Sequence, residues 1–198
     1  MKKYLLIIAL TLCIFQMIVL AIDIDIGSGA IDRADYDQFY TNVDCGNPAN
    51  ADGTIDTIEI WAHSNLTGCE IGIFYVVSGN TLSTRSNVTI GNVTSGSKQT
   101  FTQDFEGNPI SLEVHEGDYL GIYQASGAIS YSEEGLTSAW YKSGDQIPAN
   151  NVTFSITTTC DFSIYGTGTT VVGWPHKWNT QAISKWNTKE IMKWNDLE

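Results

Sequence analysis

The feature that most constrains this chain is a period-two alternation of apolar and polar residues, broken every eight to twelve residues by turn chemistry. "IDIDIGS" sets Ile22, Ile24 and Ile26 against Asp23 and Asp25; "GTIDTIEIWA" alternates Ile58 and Ile60; "CEIGIFYVV" places Cys69, Ile71, Ile73, Tyr75 and Val77 on one face. A strand turns successive side chains to opposite faces, so such runs read as half-buried strands. The pattern recurs in "NTLSTRSNVTI", "QTFTQDF", "ISLEV", "DYLGIYQ", "TSAWY", "NVTFSIT" and "DFSIYG". Between them stand Ser78-Gly79-Asn80, Gly107-Asn108-Pro109, Glu116-Gly117-Asp118 and Ser143-Gly144-Asp145, whose residues suit tight turns. About ten short strands at this spacing predict an all-β antiparallel sandwich or barrel.

The ends of the chain differ from this body. "MKKYLLIIALTLCIFQMIVLA" has Lys2 and Lys3, an apolar run, and Val19 and Ala21 at the small-residue positions of a signal-peptide cleavage site. The expected organisation is a signal peptide over 1–21, a sandwich over 22–168, a linker over 169–176 and a repeat tail over 177–198. An uncleaved membrane anchor over 4–21 is the alternative, because that run has the length to span a bilayer. Export predicts a secreted or extracellular-surface protein. Without Cys13 three cysteines remain, Cys45, Cys69 and Cys160, so at most one intrachain disulfide can form.

The resemblance that specifies the architecture further lies in "GTIDTIEIWAHSNLTGCEIGIFY" and "TFTQDFEGNPISLEVHEGDYLGIYQASG". These stretches resemble the jelly-roll accessory sandwiches of secreted microbial proteins, over roughly residues 22 to 168. The resemblance implies a jelly-roll-like fold, and a non-catalytic module that binds polysaccharide or decorates an extracellular assembly.

Charge narrows the partners. Of 22 acidic residues, three lie beyond Gly173, and the nineteen in the body face only Arg33, Arg85, Lys98 and Lys142. A body this acidic repels nucleic-acid phosphates and anionic lipid, which excludes nucleic acid and leaves cations or neutral ligands such as glycans. Sugar rings stack on aromatic faces. Trp61, Tyr119, Tyr123, Tyr131, Trp140 and Tyr141 are the candidate platforms, and "GAISYSEEGLTSAWYKSGD" reads as the most loop-like region bearing aromatics, which selects Tyr131, Trp140 and Tyr141 as the ligand-binding residues.

Other chemistry finds less support. A glycan-active hydrolase or lyase would need a carboxylate pair, with Glu113, Glu116, Asp118, Glu133 and Glu134 as candidates, but most acids alternate with apolar residues or occupy turns. No G-x-S-x-G occurs, and the three histidines are scattered. No cofactor is expected. Asp23, Asp25, Asp32, Asp35 and Asp37 could supply a structural calcium site, yet they lack the spacing and central Gly of an EF-hand loop, so solvation is the expected state and calcium the alternative.

The tail "KWNTQAISKWNTKEIMKWNDLE" repeats Trp178, Trp186 and Trp194 at a step of eight, with Ile183 and Ile191 at the same step. Eight is even, so a strand puts the three Trp on one face and both Ile on the other, whereas in a helix each step of eight advances about 80° past two turns. Such units cannot bury their large side chains alone, which predicts docking or homo-oligomerisation through Trp178, Ile183, Trp186, Ile191 and Trp194. Short Lys-x-Asn repeats with an intervening Ile are similar to the ends of bacteriophage tail-fibre and trimeric adhesin chains, and imply assembly. The reading is a secreted binding or adhesion module for a glycan or surface protein. A structural component of a virion or extracellular filament is the first alternative and the hydrolase or lyase the second.

Overall fold

The computed structural model describes residues 23–134 and 137–170. Among these residues the chain is all-β, with no helix. In chain order the strands are β1 (Asp23–Ile26), β2 (Asp35–Asp37), β3 (Tyr40–Asp44), β4 (Gly53–Ile60), β5 (Ala62–Ser78), β6 (Thr81–Val93), β7 (Gln99–Phe101), β8 (Leu112–Val114), β9 (Tyr119–Tyr123), β10 (Ser126–Ser132), β11 (Ser138–Ser143), β12 (Val152–Thr153), β13 (Ser155–Thr158), β14 (Asp161–Phe162) and β15 (Ile164–Thr170). The signal-peptide segment and the tail with Trp178, Ile183, Trp186, Ile191 and Trp194 lie outside the described residues. Strand β15 runs on to Thr170, two residues into the stretch expected to be linker.

Every strand expected from alternation is present. "NVTFSIT" is divided between β12 and β13 and "DFSIYG" between β14 and β15, while β2, β3 and β10 are additional. The glycines of the four expected turns, Gly79, Gly107, Gly117 and Gly144, all have positive φ, a conformation that other residues adopt only with strain. All pairings are antiparallel. One sheet has the order β1-β15-β4-β7, with β8 also on β4; the larger has the order β12-β6-β5-β9-β3-β11-β13, with β10 joining β5, β2 and β14.

Two cores follow from the alternation. The main one lies between the sheets: Ile24, Ile26, Ile55, Ile58, Ile60 and Ile164 of the smaller sheet meet Ile71, Ile73, Leu120 and Ile122 of the larger. The second collects Val43, Phe74, Leu82, Trp140, Ile147 and Phe154. Strand β5 feeds both. Ordinary alternation turns Ile73 into the main core and Phe74, on the opposite face, into the second, and past this point the main core no longer covers the strand. The expected face of Cys69, Ile71, Ile73, Tyr75 and Val77 therefore holds only to Ile73, and Tyr75 and Val77 are exposed.

Strand β3 is unusual in being buried through polar side chains. Thr41, Asn42 and Asp44 are at most 1% exposed. Buried polar groups require partners. Thr41 Oγ1 donates to the Gly144 carbonyl, Asn42 Nδ2 donates to Asp37, and Asp44 accepts from Ser28 Oγ, Gly46 N and Phe162 N. Burial nevertheless holds the Asp44 carboxyl above the ordinary carboxylate range. Asp44 thus ties three separate segments to β3, and it fixes the strands that frame the cleft described next.

Candidate functional site

Strands β2, β3, β10, β11 and β13 and the β13–β14 turn enclose a cleft of about 470 Å3. Its walls are aromatic. Tyr131 of β10 pairs in register with Asp35 and with Phe162, and its ring stacks on that of Phe162 at 5.4 Å. Tyr141 of β11 lies opposite Asn42 of β3, and its ring meets Tyr40 edge-on at 5.9 Å. Strand alternation explains this placement. Ala139 points into the main core, and Tyr141, two residues further, shares its face where core gives way to cleft.

The lining is rich in groups that can accept hydrogen bonds. Asp37 and Glu133 supply carboxylates, and Thr157, Thr158 and Thr159 form a hydroxyl-bearing edge. No Lys, Arg or His is among the described residues lining the cleft. Asn42 Nδ2 donates to Asp37 Oδ2 at 2.7 Å, and Gln124 Nε2 donates to the Asp37 carbonyl at 3.2 Å. The side-chain oxygens of both amides, Asn42 Oδ1 and Gln124 Oε1, are buried without a partner. Burial raises the Asp37 carboxyl above its ordinary range, opposed by the Asn42 hydrogen bond. Tyr131 Oη donates to Glu133 Oε1 at 2.8 Å. Desolvation first, and then the Glu133 carboxylate, push its hydroxyl above the usual tyrosine range.

No family model matches this chain, and no curated protein matches it. What the cleft can do has to be read from its own residues.

Of the three expected ligand-binding aromatics, the structure brings Tyr131 and Tyr141 together and turns Trp140 away. Trp140 is 8% exposed in the second core, crosses Tyr119 edge-on at 5.0 Å, and donates from Nε1 to Asn80 Oδ1 at 3.1 Å. The segment read as loop-like instead holds two strands, β10 and β11, with Glu133 and Glu134 in a turn after β10. Tyr40, Asn42 and Phe162 are not among the expected site residues, and Asp37 is expected only as a calcium ligand. The sequence gives Tyr40 as one aromatic in "DYDQFY" but holds no local signal for Asn42.

The candidate carboxylates are dispersed. Asp118 is held by Arg85, whose Nε and Nη2 reach its two oxygens, and by His115 N. Glu113 reaches the His115 ring, and Glu133 alone of the five lines the cleft. The aspartates considered for calcium also part company. Asp25 accepts from Asn47 and Tyr165, Asp35 from Glu133 N, and Asp37 from Asn42. Among the described residues no group of three or more His, Cys, Asp or Glu is placed to hold a metal ion.

Cys45, Cys69 and Cys160 are free thiols. Burial, reinforced by the Asp44 charge, pushes Cys45 and Cys160 up to about 12, so neither forms the thiolate that nucleophilic chemistry needs near neutral pH. Cys160 lines the cleft as a small apolar surface.

Proposed function

We propose that this chain is an extracellular, non-catalytic binding or adhesion module that holds a carbohydrate, or a sugar-bearing cell-surface component, between Tyr131 and Tyr141. One observation carries the reading: an open cleft lined by tyrosine rings together with two carboxylates and three threonines. Sugars present apolar ring faces and hydroxyl donors, which aromatic walls and such acceptors complement. The hydrogen bonds already made by Asp37 and Glu133 favour recognition over chemistry, since each carboxylate is tied to a neighbouring side chain. In this reading the Lys-Trp-Asn tail attaches the module to copies of itself or to an assembly.

A glycan array on the exported protein tests the reading, followed by Tyr141→Ala and Trp140→Phe. Loss of the Tyr141 ring should weaken binding by about 1 kcal/mol or more, roughly fivefold, with little change in stability. Trp140→Phe should lower stability and spare affinity. An array without hits, or equal effects of the two substitutions on affinity, would reject the cleft as the site.

A glycan-active enzyme is the competing reading, favoured by one observation. The raised Asp37 carboxyl is the kind of group that serves as a general acid, and Glu133 lines the same cleft. Incubating array hits with the protein and assaying for reducing ends or unsaturated products separates the two.

A further inference from the structure

The acceptor chemistry of the cleft selects among ligands, and the selection turns on Asn42. This residue is 1% exposed and lines the cleft. Its Nδ2 donates to Asp37 Oδ2 at 2.7 Å, so turning the amide over would set its oxygen against the carboxylate. The orientation is therefore fixed by charge. It leaves Oδ1 as an acceptor with no partner, beside a carboxylate that still has acceptor capacity.

A buried amide oxygen without a donor is costly, and no side chain of the protein donates to this one. The Tyr131 hydroxyl is spent on Glu133, and the Asn42 amide on Asp37. Thr159 donates to the Thr158 carbonyl. With Asp37 and Glu133 both on the lining and no basic side chain there, the cleft offers negative charge that the protein itself leaves uncompensated. Its tyrosine rings add a second attraction for the same species, because the faces of aromatic rings are negative.

Resting on the glycan reading, we infer that the cleft recognises a protonated amine: its preferred ligand is a sugar with a free ammonium group, ahead of neutral, N-acylated or acidic sugars. The ammonium donates three hydrogen bonds and carries the charge that Asp37 and Glu133 call for, with Asn42 Oδ1 as a neutral third acceptor. N-acylation removes both the charge and two donors. A uronic acid replaces donor with carboxylate and meets like charge.

The test is calorimetric titration of the full-length exported protein with oligomers of equal length made of glucosamine, N-acetylglucosamine, glucose or galacturonic acid. It is run at a pH where the amine is protonated and at about 0.15 M salt, where diffuse attraction is largely screened. The amino form should bind roughly tenfold or more tightly than the N-acetyl and neutral forms, as charge-assisted hydrogen bonds exceed neutral ones. Glu133→Gln, at an exposed position that tolerates substitution, should erode that preference severalfold, lowering amino-oligomer affinity more than neutral-oligomer affinity. Glu106→Gln, on a distant exposed turn, should leave it intact.

Equal affinity for the amino and neutral forms overturns the inference and leaves the glycan reading standing. Binding of no oligomer at all rejects both. A preference that Glu106→Gln weakens as much as Glu133→Gln marks diffuse acidic attraction and also overturns it. So does a Lys-Trp-Asn peptide that binds where the amino sugar does not, which would assign the cleft to lysine side chains.

Discussion

Gly121→Ala offers a stringent check on how β3, β5 and β9 are held together, because its effect can be worked out from one ring. Gly121 lies opposite Gly72 and Val43 in register, and the Phe74 ring lies across the two glycines. A Cβ on Gly121 would fall 2.5 Å from Phe74 Cε2 and 3.0 Å from the Asn42 carbonyl oxygen. The ring cannot retreat over Gly72, already too close for a Cβ of its own at 2.8 Å, and it also meets Phe154 edge-on at 6.0 Å. Phe74 is fully buried. Overpacking of this kind costs about 1–3 kcal/mol, and the blocked retreat argues for the upper half. The φ of Gly121 is not positive, so alanine also restricts the unfolded chain and returns about 0.4–1 kcal/mol. The net loss should be about 1–2.5 kcal/mol, a fall in Tm of about 2–10 °C for a domain of this size. In the Phe74→Leu background the nearest obstructing atom, Cε2, is gone, and Gly121→Ala should cost at least about 1 kcal/mol less. Urea unfolding of the four proteins measures the coupling, expected to exceed about 1 kcal/mol. A cost that is the same in both backgrounds, or a Tm that does not fall in the Phe74 protein, would refute the packing argument.

Arg85→Met should destabilise by about 2–3 kcal/mol, because it strips the charged partner from the buried Asp118 carboxylate; Arg85→Met combined with Asp118→Leu should cost less than Arg85→Met alone, and denaturant midpoints compare them. Burial raises the Asp37 carboxyl, so the folded state binds this proton more tightly than the unfolded state. Stability from this group should then fall as pH rises from the unfolded value near ~4 to the folded one, and level off above it. Asp37→Asn, which keeps an acceptor for Asn42 Nδ2, should flatten that acid limb without abolishing it, since Asp44 and Glu70 are raised as well; urea titrations across acid pH would show an unchanged slope if the argument is wrong. Deleting residues 174–198 should leave a folded monomer from an oligomeric parent, and sedimentation at matched concentrations would refute tail-driven assembly if the parent is already monomeric.

Alternation and turn chemistry by themselves determined the β class and ten of the strand segments, because those strands carry one apolar face into a core and a strand's period is local information. Aromatic content in a segment that reads as loop-like singled out Tyr131 and Tyr141 as residues of interest. It could not separate them from Trp140. Neighbours on one strand point to opposite faces, and only the cover provided by Val43, Phe74, Leu82 and Phe154 makes one of those faces a second core. The register shift at Arg85 of β6 is likewise tertiary, since it shows only against the partner strand β5. The three unread strands, β2, β3 and β10, frame the cleft together with β11 and β13. "DYD" buries no residue and "YTNVD" buries mostly polar ones, so neither shows a hydrophobic period, and Thr41, Asn42 and Asp44 are tolerable inside only through partners at Gly144, Asp37, Ser28 and Phe162. A sequence window holds hydrophobic period but not the long-range hydrogen bonds that make a polar strand burial-competent, so the walls of the site were legible and its floor was decided by the fold.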